Sequence, residues 1–404
     1  MTPAAHRIGQ PTPLIFHLSA ALVGYAQGML AAPAAADPEF PWHQDLPPFE
    51  GPAPQSLDVT LEAVRRLRTM VEGIHMWQAH PYRRALSDPP TVWQLGAARV
   101  LDYGQTPEAT DPQGPIVLVV PSLINRAYIL DLMECNSFLR ALATAGLRPL
   151  LLDWGSPGPL EAVFDLDDYV AQPLMGALAI AHGLGGKPPA LLGYCMGGTL
   201  SAGHVLTRGG VRALVTIGAP WDFAAAGGAA KSIRTGAVSH GMPMIRQTLR
   251  SLSAGFGTVP VSLFQHLFAL VDPIQAARKF QRFAALPQDG KAARLFVALE
   301  DWLADGVPMA GPAAETLLID WHLGNAPALG AWPAAARRTP EIPTLVVCGA
   351  RDSIAQPAMA HPLADAFPGA SRIAPQLGHV GMITGSAAPD HVWRPVVEFL
   401  NANA

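Results

Sequence analysis

Charge is scarce in this sequence. Asp, Glu, Lys and Arg together make up 14% of the 404 residues, against about 25% in ordinary soluble domains. Half of the residues are hydrophobic, and the mean hydropathy is +0.23. Either much of the chain is buried, or some apolar surface faces a partner. A basic excess is also lacking. The net charge is −4 and the pI about 6.3, so the electrostatic footprint of a nucleic-acid binder is absent. Cysteine is limited to Cys135, Cys195 and Cys348. Three cysteines this far apart make neither a disulfide framework nor a zinc site, and a reducing, cytoplasmic compartment fits them best. Internal repeats and long low-complexity tracts are missing; the Ala-rich patches at 31–36 and 224–230 are local. What remains is a chain long enough for one large domain, or a core with additions.

The N-terminus supports three readings. Residues 13–36 carry no charge beyond that of His17. Arg7, an apolar stretch and Ala34-Ala35-Ala36 have the layout of a signal peptide. His17, Gly24 and Gln27–Gly28 instead recur at helical spacing, leaving Leu14, Leu18, Leu22, Tyr25 and Met29 on the other side. That pattern makes an amphipathic helix, docked on the body or on an apolar surface. Small and polar residues dilute the stretch too much for a membrane span.

Residues 37–60 are proline-rich and read as a linker, and 61–85 as an amphipathic helix. From about 114 the rhythm changes. PIVLVVPS, RPLLLDWG, PALLGYC and RALVTIGAP read as strands, the first three each followed by a helical pattern, such as ILDLMECNSFLRALATAG after the first. Strands without polar alternation, interleaved with helices, predict a mostly parallel sheet covered by helices on both faces. Residues 223–338 break the rhythm with helical stretches and no clear strand, an insertion at the carboxyl edge of the sheet where a cap would sit. TLVVCGARD, SRIAPQLGH and a final helix then resume it. The expected organisation is an N-terminal helical extension and linker over 1–110, then an α/β-hydrolase domain over 111–404 with the cap inserted.

The chemistry concentrates at LLGYCMGG. Gly193-x-Cys195-x-Gly197 falls where a strand ends and a helix begins, as a nucleophile elbow requires, with cysteine in the place of serine. The flanking glycines let neighbouring backbone pass close by. The helix start favours a thiolate, and the N–H of Met196 becomes an oxyanion donor. Asp352 follows one later strand and His379 another, in the chain order nucleophile, acid, histidine. His379 is the expected base and Asp352 its partner, with Asp153 a rival acid that precedes the nucleophile. The loop Pro121–Arg126 supplies the second oxyanion donor, the N–H of Leu123 or Ile124. Asn125 and Arg126 read as residues that fix this loop, Arg126 through a salt bridge, with contact to an anionic substrate as its second reading. Cys348 reads as core, Cys135 as packed in a helix, His204 as a packing or capping residue. Trp221, Asp222 and Trp302 belong to the cap and its packing.

At these residues the chain resembles the polyhydroxyalkanoate synthases, members of the α/β-hydrolase superfamily. PSLINRAYILDL, LLLDWGSPGP, LLGYCMGGT, LEDWLADG, GARDSIAQP and GHVGMITG match in order over about 270 residues. The loop and DWG motifs look closest to the short-chain members that work with a second subunit. The resemblance implies a Cys-His-Asp site that takes a 3-hydroxyacyl group from a coenzyme A thioester, with no bound cofactor or metal, and passes it to the hydroxyl end of a growing polyester. It implies Cys195 as the acyl-carrying thiol, His379 as base, Asp352 as its partner and Ile124 at the oxyanion position. A granule surface, a homodimer or a second synthase subunit are the implied partners. Ser122 stands where many members have another proline, and the cap does not clearly match. The second reading of the same residues is a cysteine-elbow hydrolase, of the thioesterase, esterase or dienelactone-hydrolase kind.

Thiol chemistry suits this transfer. Thiolate attack on an acyl-CoA exchanges one thioester for another, so the acyl-enzyme survives until an acceptor arrives. A thiol is also intrinsically more nucleophilic than an alcohol and partly ionised near neutrality. Water must be kept out for synthesis to exceed hydrolysis, which gives the 223–338 insertion a purpose.

Overall fold

The computed structural model describes residues 11, 13–35, 56–227, 231, 234, 235, 238 and 241–404. Most of the expected linker, the last alanine of the signal-peptide motif and parts of the 224–240 region lie outside these. The chain divides into two compact units, residues 1–83 with 264–304 and residues 84–263 with 305–404. The division expected from sequence is linear, whereas the first unit joins the N-terminal helices to part of the insertion.

In that first unit, helices Leu14–Ala35, Ser56–Ala79 and Gln275–Ala284 meet through Ala21, Met70, Ile74, Trp77, Phe280 and Phe283, all buried. Leu14, Leu18 and Tyr25 pack against the same cluster, as helical spacing from Leu14 predicts. Leu22 departs from that prediction: it is exposed, and Ala21 takes the inner position. Among the described residues no helix is long and apolar enough to cross a membrane.

The second unit carries the sheet. Its strands are β1 (Thr91–Leu95), β2 (Ala98–Asp102), β3 (Ile116–Val120), β6 (Arg148–Asp153), β7 (Ala190–Tyr194), β8 (Ala213–Ile217), β9 (Thr344–Val347) and β10 (Ser371–Ile373), with β4 (Asp131–Met133) and β5 (Asn136–Ser137) forming a separate small hairpin. The order is β1-β2-β6-β3-β7-β8-β9-β10. Pairs from β6 to β10 are parallel; β1–β2 and β2–β6 are antiparallel. Every residue of β3, β7, β8 and β9 is buried, which is why these segments read as unbroken apolar runs. Each Leu or Val so placed is worth about 1.5–3 kcal/mol relative to exposure.

Three local differences from the sequence reading have clear causes. The β1–β2 hairpin falls within the segment read as extension and linker; its half-buried edge strand lacks an apolar run, and Gly96 at φ 57° makes the turn. The helix expected over ILDLMECNSFLRALATAG starts only at Phe138, because Ser137 caps it by accepting from the Arg140 N–H. Before it, the buried Asp131 is held by Arg84 and Arg140, and β4–β5 turns back on itself. Cys135 consequently sits exposed in that turn and not packed in a helix. The helix after β6 contains a wide turn over Val170–Leu174, where Pro173 has no N–H to give.

Candidate active site

The carboxyl ends of the parallel strands converge on one place. β7 ends in Tyr194, and Cys195 follows with φ 56° and ψ −131° before the helix Met196–Thr207 begins. This is a backbone conformation that residues with a Cβ rarely adopt. The Cys195 N–H remains tied to the sheet, donating to the Ile217 carbonyl at 2.8 Å. The elbow is this tight because of Gly197: a Cβ there would lie 2.2 Å from the Val120 carbonyl oxygen and 2.3 Å from that of Pro121. Only glycine lets the first helical turn press against the end of β3, and that approach sets the helix amides beside the Pro121–Arg126 loop. Met196 is the first helical residue, so its N–H is among those with no partner inside the helix.

Asp352 and His379 occupy the loops after β9 and β10. His379 Nδ1 lies 2.7 Å from Asp352 Oδ2, and both residues are buried. The other carboxylate oxygen of Asp352 accepts from the N–H groups of Ile354 and Ala355, at 2.8 and 2.9 Å. The carboxylate is thus fixed by its own turn and fixes the ring in turn. Burial pulls the His379 pKa down, but the charge of Cys195 and hydrogen bonds with Asp352 and Cys195 more than reverse this and raise it to about 10. The ring therefore keeps its proton more tightly than an ordinary imidazole. The structure brings together Cys195, His379 and Asp352. Asp153 is placed elsewhere: it pairs with Arg99 and accepts from the Gly155 N–H.

The Pro121–Arg126 loop is more constrained than the sequence suggests. The Ile124 N–H donates to Ser122 Oγ at 3.3 Å, a long bond. The Ile124 carbonyl accepts from the Val307 N–H at 3.1 Å, Asn125 bridges to Gly306, and Arg126 pairs with Asp305 at 3.3 Å. Trp154 Nε1 donates to the Pro121 carbonyl at 3.0 Å. A small pocket opens beside the loop, with Leu123, Trp154, Tyr169, Val307 and Met309 in its wall.

Two contributors escape a reading of the sequence. The Tyr194 ring lies 5.3 Å from that of His379, and its hydroxyl donates to the His379 carbonyl at 3.4 Å. Burial, reinforced by the charges of Cys195 and Asp352, lifts its pKa far above the usual phenol value, so it stays a donor. Gly218, after β8, has φ 59°, and a Cβ there would come within 3.0 Å of the His379 ring. Its signal was the glycine that closes an apolar strand; Tyr194 had only its place beside the nucleophile. Of the remaining candidates, Cys348 is core, with its thiol pushed up to about 12 by burial. Burial pulls His204 down to about 4, and its Nε2 lies 3.0 Å from the Gly209 carbonyl. Trp221 and Trp302 are buried, while Asp222 accepts from Ala224 N–H and from Asn325 Nδ2. Among the described residues no group of three His, Cys, Asp or Glu side chains is placed to hold a metal ion.

The sheet and its elbow define an α/β-hydrolase fold, with Cys195 at the turn between β7 and the helix that follows. Comparison of the sequence then shows what the chain is similar to. The chain is 30% identical over 317 residues to the poly(3-hydroxyalkanoate) polymerase subunit PhaC of Haloferax mediterranei, covering 76% of this chain and 62% of that protein. It is 30% identical over 292 residues to the same subunit of Haloarcula marismortui, covering 70% and 60%. With the Synechocystis subunit it shares 26% identity over 349 residues, 83% of this chain and 90% of that one. The chain is thus similar to several poly(3-hydroxyalkanoate) polymerase subunits, and it spans about three-fifths of the length of the Haloferax and Haloarcula proteins. No protein-family model matches it. Among solved structures, a thermophilic esterase from Thermogutta terrifontis aligns with 80% of this chain and 99% of its own, at 17% identity and a TM-score of 0.44.

Proposed function

We propose that this chain is an acyltransferase of the polyhydroxyalkanoate synthase type. It moves 3-hydroxyacyl groups from coenzyme A, through an acyl-enzyme on Cys195, to the hydroxyl end of a growing polyester. The observation that carries the reading is Cys195 at φ 56° on the elbow, with His379 held beside it by Asp352 at 2.7 Å. The Cys195 thiolate attacks the thioester carbonyl, and the N–H groups of Met196 and Ile124 hold the oxyanion. Collapse breaks the bond to coenzyme A, whose sulfur leaves with the proton from His379. The polyester hydroxyl then gives its proton to His379 as its oxygen attacks the acyl carbon. Cys195 leaves as thiolate, and the ester is one unit longer. Asp352 keeps the ring turned and its charge compensated throughout.

The partners follow from the same reading: a 3-hydroxyacyl-CoA, a polyester or granule surface, and a second copy of this chain or a further synthase subunit. Relatives that are themselves called polymerase subunits support the last. The reaction uses the coenzyme A thioester as substrate and no bound cofactor, and its place is the cytoplasm, at the granule. Purified protein incubated with 3-hydroxybutyryl-CoA tests this by coenzyme A release and product size. Polymer is the expected product. Free acid alone would make the protein a cysteine-elbow hydrolase, and no release at all would remove the enzymatic reading.

A further inference from the structure

The Pro121–Arg126 loop has no regular structure of its own, yet an oxyanion donor must be preorganised to be useful. Beyond the Trp154 bond to Pro121, it is held from far along the chain, by residues 305–309. At one end this strap is pinned by Met309, which exchanges backbone hydrogen bonds with Val259 at 2.8 and 3.0 Å, both residues being buried. At the other end it grips the loop at three successive residues. Val307 N–H meets the Ile124 carbonyl, Gly306 bridges Asn125, and Asp305 pairs with Arg126. The first two contacts are backbone and fix the peptide following Ile124. The third is the only side-chain contact of the three, and it is an ion pair with its members 34% and 49% exposed.

We propose that Asp305–Met309 is a positioning clamp for the oxyanion loop, and that Asp305, through Arg126, sets where the Ile124 amide stands. The proposal rests on the assignment of that loop to oxyanion stabilisation. An ion pair this exposed contributes little to stability, so stability alone gives it little purpose. Its leverage is geometric: a misplacement of about 1 Å at a reacting centre can cost on the order of a hundredfold in rate. Asp305 touches no reacting atom and is a positioning residue.

The test uses the full chain with Asp305→Ala and Asp305→Glu. Single-turnover acylation of Cys195 is followed by intact mass, with 3-hydroxybutyryl-CoA and with the activated ester p-nitrophenyl butyrate. Hydrogen exchange is read on peptides covering 121–128, and thermal unfolding is recorded alongside. Asp305→Ala should slow acylation about tenfold with either donor, speed exchange in 121–128 and leave Tm nearly unchanged, while Asp305→Glu should restore the rate. Unchanged exchange in Asp305→Ala overturns the clamp whatever the activity, and so does a rate loss accompanied by a collapse of Tm. Wild-type protein that takes no acyl group on Cys195 from either donor overturns the proposed function instead. Faster exchange in Asp305→Ala would still support the clamp in that case.

Discussion

The ring of Tyr194 lies against the imidazole of His379, with centroids 5.3 Å apart and planes inclined at 31°. The residue immediately before the elbow cysteine thus forms a wall for the histidine. Asp352 fixes the ring through Nδ1, and Gly218 leaves space on a further side. Tyr194→Phe keeps the wall and removes a hydroxyl whose hydrogen bond is long, at 3.4 Å. It should lower stability by about 0.5–1.5 kcal/mol and leave kcat within about threefold, that being under the 1.4 kcal/mol of a tenfold change. Tyr194→Ala removes the wall. It should cost about 3–5 kcal/mol, as other large aromatic deletions do, and lower kcat well beyond the Phe variant. Denaturant unfolding and coenzyme A release measure the two effects, and equal kcat values in Phe and Ala variants would show that the ring does not position His379.

Cysteine chemistry separates the three thiols. Cys348 is buried, with its pKa pushed up to about 12, and only thiolates react readily with alkylating agents. Iodoacetamide at neutral pH should leave Cys348 unmodified in the folded protein and should label Cys195 and the exposed Cys135. Loss of coenzyme A release should follow the labelling of Cys195 alone, as read by peptide mass. Cys195→Ala should reduce release by at least about a thousandfold, the scale of nucleophile loss in triad enzymes. Release that survives either treatment would mean that another residue carries the acyl group.

The pH dependence has a definite sign. His379 titrates in the folded protein at about 10, against about 6.5 for an unperturbed histidine. A folded value above the unfolded one adds stability that is fully present below about pH 6.5 and is lost as pH rises through about 10. Urea unfolding should therefore show stability falling between pH 7 and 10. In Cys195→Ala the largest contribution that raises the ring is gone, leaving Asp352 alone against burial, so that fall should shrink. An equal fall in both proteins would mean that Cys195 does not hold the proton on His379.

Legibility in the sequence followed burial. β3, β7, β8 and β9 are buried along their whole length and stood out as apolar runs. Cys195, Asp352 and His379 were legible because each follows a strand, at the one edge where a parallel sheet gathers its loops. What lay hidden depends on contacts distant in sequence. β1 is half-exposed and pairs only at the edge, so it has no run to recognise. Asp305 and Val307 act on residues some 180 positions earlier, and no local pattern carries that. Cys135 was misplaced because an apolar helical pattern continues through Leu130 and Met133, while the buried Asp131 and the Ser137 cap decide otherwise.

Ser122 discriminates between the two amides that could serve as oxyanion donor. In the structure Ile124 N–H is engaged, donating to Ser122 Oγ at 3.3 Å. An oxyanion accepting from that amide must displace the hydroxyl, and a charge-assisted bond is roughly twice as strong as a neutral one. The displaced bond is neutral and long, worth about 0.5–1.5 kcal/mol net. If Ile124 is the donor, Ser122→Ala removes the competitor and should raise the single-turnover acylation rate severalfold, up to about tenfold for 1.4 kcal/mol. If the Leu123 N–H is the donor, the hydroxyl only braces the loop, and the same change should slow acylation. Ser122→Pro removes the hydroxyl while stiffening the backbone at φ near −65°. It should match or exceed the alanine variant in rate if Ile124 is the donor. A slower rate in both variants moves the assignment to Leu123 and leaves Cys195, His379 and Asp352 in their roles.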